Sequence, residues 1–171
     1  MGIFTSDKLD TLEELLEHEL KDLYDAEHRI TEPLPKMAEK ATNPSLKKAF
    51  QNHLRQTEKH IERLNSVCEH RGIEPQREKC DAIVGLIKEG SEVLSAEGDN
   101  DVLDAALIAA AQRVEHYEIA GYGTARTFAQ QLSDDYSAEL LEQTLDEEKS
   151  TDQQLTKIAV GSVNPASARE Q

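Results

Sequence analysis

Leucine and isoleucine recur every three or four residues along the first part of the chain, at Leu9, Leu12, Leu16, Leu20, Leu23, Ile30 and Leu34. That spacing keeps one face of a helix apolar and predicts a first helix. Ser6 or Asp7 can cap its start, and Pro33 and Pro35 predict a kink or break at its end. Asn43-Pro44 is a start signal, a capping side chain followed by a proline suited to the first helical turn. The second helix carries Leu46, Phe50, Leu64 and Cys68 and ends at Gly72, with Arg71 beside its negative end. Residues 73–77 turn around Pro75, and Ile83, Leu86, Ile87 and Leu94 mark a shorter helix over 78–95. Gly98-Asp99-Asn100-Asp101 interrupts it and offers caps for the third long helix, which holds Leu103, Leu107, Ala110, Val114 and Ala125 and ends near Leu132. Ser133-Asp134-Asp135 opens the fourth, with Leu141, Leu145, Leu155 and Ile158, stopping at Gly161. Residues 1–163 therefore read as one helical domain and 164–171, with Asn164-Pro165, as a flexible tail.

The order is long, long, short, long, long. A helix of about 28 residues is about 42 Å long, so four of them can align side by side. The stretch from 73 to 100 can cross from one helix pair to the other. The predicted fold is all-α, a ferritin-like antiparallel four-helix bundle whose one long crossover contains a short extra helix. Setting Glu27-His28 over Glu115-His116, and Leu54, Thr57 and Leu64 over Leu145, Glu148 and Leu155, hints at an internal duplication with few identities.

Each apolar stripe is broken near its middle by polar residues. At about 100° per residue, Glu27 falls at the centre of the first stripe, between Leu23 and Ile30. Thr57 centres the second, with His53 beside it and His60 further off. Glu118 lies within the third, with Glu115 on its flank. Glu148 interrupts the fourth, with Asp152 one turn on. A buried carboxylate is costly unless paired or bound to a cation. Four interruptions at similar depth point to a shared purpose, and carboxylate oxygen with imidazole nitrogen suits iron or manganese. Two-metal bundles of this kind place one Glu on each of two helices and Glu-x-x-His on the other two. Glu27 and Glu115 fit the single-Glu helices. The second helix has Thr57-x-x-His60 without a Glu, and the fourth has Glu148-x-x-Thr151 without a His. The competing readings are an ion network with Arg63 and Arg126, histidines that merely pack, and a solvated face over Asp146-Glu147-Glu148-Lys149. Tyr24, Tyr117 and Tyr122 lie near the acids and can hydrogen-bond to them or simply fill the core.

Charge sharpens this picture. Asp and Glu number 34 against 19 Lys and Arg, a formal charge of -15 that disfavours nucleic acid and anionic membrane and attracts cations. The 4% aromatic content and the absence of Trp fit aliphatic helix packing. No apolar run reaches membrane-spanning length, and the first residues lack the regions of a signal peptide, so the expected location is cytoplasmic. Gly2 with Ser6 matches a short myristoylation pattern, read here as chance. Cys68 and Cys80 are expected to be reduced and partly buried thiols. No dinucleotide, phosphate-loop or nucleophile-elbow motif is present.

The stretch from Asp104 to Thr124, which includes Arg113-Val-Glu-His-Tyr-Glu-Ile-Ala-Gly-Tyr-Gly-Thr124, resembles the YciE/YciF family of bacterial ferritin-like stress proteins. So do Thr144-Leu-Asp-Glu-Glu-Lys-Ser-Thr-Asp152, Tyr24-Asp-Ala-Glu27, His53 with Thr57, Ile61-Glu-Arg63 and Lys79-Cys80. The resemblance covers roughly residues 8–163. It implies a ferritin-like fold related to rubrerythrins and manganese catalases, a homodimer, and a link to stress. It carries metal-ligand roles onto Glu27, His53, Glu115, Glu118, Glu148 and Asp152. Two functions follow as expectations. One is an oxidoreductase holding two iron or manganese ions and acting on oxygen or peroxide; Glu118 or Asp152 would then alternate between ligand and proton carrier. The other is a metal-free or structurally metallated helical dimer that acts as an interaction module.

Overall fold

The computed structural model describes residues 9–169, and every regular element among them is helical. Helix α1 (Leu12–Ile30) starts where Thr11 and Glu14 satisfy each other's backbone N–H groups in a reciprocal cap. Ser6 and Asp7, the caps expected from sequence, lie outside the described residues, as does Gly2. The chain breaks at Thr31–Glu32, and α2 (Pro33–Lys40) begins with Pro33 in its first turn, where a missing N–H costs nothing. Helix α3 (Pro44–Arg71) is capped by Asn43 Oδ1, which accepts from the N–H groups of Ser45 and Leu46. It ends at Gly72, whose φ of 67° is the left-handed conformation that glycine adopts without a steric cost.

Helix α4 (Asp81–Ser95) starts a little later than expected, because the Cys80 sulfur accepts from Ile83 N–H and serves as the cap. Asp99 caps α5 (Asn100–Gln131), and Asp134 caps α6 (Asp135–Ile158). Where the sequence suggested a loose tail, the chain continues through a π-helical stretch, Ala159–Val163, into one more turn, α7 (Asn164–Ser167), which packs on α5.

Helix α1 packs against α3 and α5, and α6 packs against the same two, so the four long helices close around a shared interior. That interior holds two apolar clusters. One contains Ile30, Leu46, Phe50, Leu107, Ile108 and Leu155. The other contains Leu16, Leu20, Leu64, Val67, Ala125 and Leu141. The order in which each helix visits them gives its direction. Helices α3 and α5 run from the first cluster to the second, and α1 and α6 run the opposite way. Because α3 and α5 share a direction, the chain must return the length of the molecule between them, and residues 73–99 with α4 make that return.

Candidate metal centre

The residues between the two apolar clusters are polar on all four helices. On α1, Glu27 follows Leu16, Leu20 and Leu23 on the buried face. On α3, His53, Thr57 and His60 separate Phe50 from Leu64. On α5, Glu115 and Glu118 separate Ala111 from Tyr122, and on α6 Glu148 separates Leu145 from Leu155. Helical periodicity that buries apolar neighbours also buries these, and none of the seven is more than 3% exposed.

They converge on two groups that could hold a metal ion. His53, Glu115, Glu118 and Glu148 form one; Glu27, His60 and Glu148 form the other. Within each, the candidate ligand atoms all lie within 4.8 Å of one another, and Glu148 belongs to both. His53 Nε2 is 3.2 Å from Glu115 Oε1 and 4.0 Å from Glu148 Oε2. His60 Nδ1 is 2.8 Å from Glu148 Oε1 and 3.2 Å from Glu27 Oε1. These are close approaches without the alignment of hydrogen bonds. His53 Nε2, His60 Nδ1, both oxygens of Glu118 and of Glu148, and one oxygen each of Glu27 and Glu115 have no hydrogen-bond partner among the described residues. Lone pairs brought together in this way at a dry site fit a cation, since each would otherwise remain desolvated and unsatisfied.

The arginines do not neutralise these acids. Arg63 grips Glu147 with two hydrogen bonds of 2.8 and 2.9 Å, and Arg126 pairs with Glu142. Glu147 in turn accepts from His60 Nε2 at 2.9 Å. Whenever the ring is neutral, that bond holds its proton on Nε2 and turns the Nδ1 lone pair to the centre, the outer-shell device that orients a metal-binding imidazole. Tyr122, wholly buried, donates to Glu27 Oε1.

Crowding of these charges in a buried layer shifts their protonation. Burial, reinforced by the Glu148 charge, pushes the Glu115 and Glu118 carboxyls well above their ordinary range. Burial also raises Glu27, against the pull of His60. His60 moves the other way: burial opposes its charge, but the Glu27 and Glu148 carboxylates outweigh that and lift it to about 10. Burial outweighs Glu148 at His53 and keeps that ring neutral, ready to donate a lone pair. The bonds from Arg63 hold Glu147 down at about 2.

Of the six residues singled out from sequence, Glu27, His53, Glu115, Glu118 and Glu148 are brought together. Asp152 is not among the converging atoms; its carboxylate accepts from Gln112 at 2.8 Å and pairs with His116 at 3.3 Å. His60, whose direction the sequence left open, joins the centre, and its spacing two turns from His53 was the available signal. Glu147, for which a solvated face was one of the competing readings, bonds to His60 Nε2 and supports its ring. Tyr117 donates to Asp22 and lies 3.0 Å from the Cys80 sulfur rather than at the acids, and Tyr24 packs edge-on against His28. Both cysteines are free and buried, and burial raises the Cys80 thiol to about 11.

Counted together, the centre holds four carboxylates and two imidazoles. That is the complement of a bundle with Glu on two helices and Glu-x-x-His on two others. Here both imidazoles come from α3, and α5 carries two carboxylates one turn apart.

Comparison with known proteins agrees with the earlier resemblance. Residues 11–168 match the model of a domain of unknown function, DUF892. The chain belongs to the DUF892 family. Protein YciF of Escherichia coli K12 is 48% identical over 155 residues, spanning 90% of this chain and 93% of YciF. The crystal structure of the E. coli stress protein YciF superposes with a TM-score of 0.88 at 47% identity, covering 91% of this chain and 99% of that one. YcfI from Rhodopseudomonas palustris gives 0.87 at 46% identity, with the same coverage. A Xanthomonas campestris protein at 20% identity superposes with a TM-score of 0.71, covering 91% of this chain and 95% of that one, a likeness of fold alone. Among the described residues, no helix is long and apolar enough to cross a membrane.

Proposed function

We propose that this protein is a ferritin-like carboxylate protein whose buried centre takes two iron or manganese ions and acts on oxygen or peroxide during stress. The observation that carries the reading is Glu148, shared by two adjoining groups of buried, unpartnered donors. Four carboxylates balance the charge of two divalent ions, so a filled centre would be close to neutral, which favours burial. Oxygen and nitrogen donors without thiolate suit iron and manganese.

In this reading Glu27, His60 and Glu148 would hold one ion, and His53, Glu115, Glu118 and the same Glu148 would hold the other. When bound, the two ions supply the electrons for reducing an oxidant. The protein's residues do the rest. Arg63 and Glu147 fix the His60 ring, Tyr122 orients Glu27, and the flanking apolar clusters exclude water. The kinship with the E. coli stress protein supports the stress role. Pairing of two copies belongs to the same proposal. The alternative, a metal-free or structurally metallated helical dimer acting as an interaction module, drew on the missing Glu-x-x-His pairs; the two imidazoles that α3 brings to the centre weigh against its metal-free form.

Elemental analysis of protein purified without chelator, before and after anaerobic loading, tests the reading. About two iron or manganese ions per chain are expected. Glu148→Ala should lose both ions and Glu27→Ala the one beside His60. Absence of stoichiometric metal in the wild type, together with no turnover of peroxide or Fe(II), would refute it.

A further inference from the structure

Thr57 is the one polar residue of the centre whose chemistry the ligand set does not use. It is fully buried, and its hydroxyl has no hydrogen-bond partner among the described residues. A hydroxyl inside a helix ordinarily has a partner within reach, the carbonyl one turn back. This chain uses that option repeatedly. Thr127 donates to Gly123 O at 2.7 Å, Thr151 to Glu147 O at 3.1 Å, Ser66 to Glu62 O at 3.0 Å, and Ser162 to Ile158 O at 3.0 Å. Thr57 does not. At about 1.5 Å and about 100° per residue it stands at a level between the two imidazoles, about 6 Å along the helix from His53 and about 4.5 Å from His60, and about 40° and about 60° around the helix to the same side of both. Its hydroxyl is thus left unpaired in the middle of the polar layer.

The two ion positions are also unequal. One has four protein donors and the other, Glu27 with His60 and Glu148, has three. Thr57 stands three residues before His60, where the two-metal pattern of Glu-x-x-His would place a further carboxylate. Threonine there supplies a small hydroxyl instead of a charged ligand.

We infer that Thr57 marks the place where a small external ligand binds, at the three-donor side, and that its hydroxyl donates a hydrogen bond to that ligand. The ligand class is a two- or three-atom oxygen species such as hydroperoxide, for which the azide anion is a stable stand-in. The inference rests on the dinuclear reading above. Thr57 is here a specificity-determining residue and not a metal ligand.

Iron-loaded wild type, Thr57→Val and Thr57→Ser separate the two ideas. Each is assayed for bound iron per chain and titrated with azide, followed by the visible absorption of the azide complex. Bound iron should be equal in all three proteins. Thr57→Val, of nearly the same shape, should bind azide about tenfold more weakly, the loss of one hydrogen bond to a charged group, and Thr57→Ser should restore it. Equal azide affinity in iron-filled Thr57→Val and wild type would overturn the inference and leave the dinuclear centre standing. So would an iron-filled wild type that binds no azide. A Thr57→Val protein that loses its iron would make Thr57 a support of the ligands and also overturn it. Wild type that takes up no iron under any loading would overturn the dinuclear reading first, and this inference with it.

Discussion

Replacing Glu118 with glutamine should stabilise the metal-free protein and reduce the further stabilisation that metal confers. Both Glu118 oxygens are buried without a partner among the described residues, and burial and the neighbouring carboxylates push its carboxyl well up. The side chain therefore contributes nothing to the empty fold that offsets its desolvation. A neutral side chain of the same shape relieves this by on the order of 2 kcal/mol. A urea m-value of about 2 kcal/mol per molar converts that into a midpoint about 1 M higher. Metal changes the balance. If the substitution weakens affinity tenfold, saturating metal stabilises the variant by about 1.4 kcal/mol less than the wild type. The assay is urea unfolding followed by helical circular dichroism, in EDTA and in excess Mn(II). The pH dependence has a definite sign. A carboxyl raised in the folded state binds its proton more tightly there, so wild-type stability falls as pH rises above the unfolded value of about 4.3. The advantage of Glu118→Gln in EDTA should accordingly vanish near pH 4 and grow toward neutrality. A variant destabilised by about 1 kcal/mol or more in EDTA would refute the argument, because it would show that the ionised carboxylate has a structural partner.

Three further outcomes test the frame around the centre. Asp104 accepts from Thr42 N–H, the Thr42 hydroxyl and Asn43 N–H at 2.7–2.9 Å while buried, so Asp104→Ala should cost about 3 kcal/mol in urea unfolding by stranding three donors. Gly85→Ala, with open space at its Cβ, should raise stability by about 1 kcal/mol; at Gly121 a Cβ would meet Leu23 Cδ2 at 2.8 Å, and Gly121→Ala should lose that gain to overpacking between α1 and α5. Asp134 is opposed by burial, but its bonds from Ser137 and Arg71 win and hold its carboxyl below the usual range, so Asp134→Ala should cost about 1–2 kcal/mol at pH 7. That cost should shrink only as pH falls below about 4, where the folded carboxyl takes up its proton, and thermal unfolding across pH 3–7 measures it.

How much was legible in the chain differs between elements and site. The helices follow from local rules, and their limits were legible wherever a cap was local. Asn43-Pro44, Gly72, Asp99 and Asp134 end or begin helices where their own backbone needs require it. The inward position of Glu27, Thr57, Glu118 and Glu148 was legible too, because a residue at the centre of an apolar stripe is carried inside by its neighbours. The start of α4 was not, since Cys80 became a cap only once its backbone N–H met Asp25 and its sulfur met Tyr117, on helices far away in sequence. Nor could periodicity decide between Asp152 and His60. Both sit at the edge of their stripes, and an edge residue faces inward or outward according to what stands opposite. His60 meets Glu147 and Glu148 across the α3–α6 interface, while Asp152 meets Gln112 and His116 across the α5–α6 interface. Sequence by itself determined that buried carboxylates would lie at one level of a helical protein. Only the tertiary structure decided which imidazoles complete them, because a shared ligand such as Glu148 exists only when helices distant in the chain are packed together.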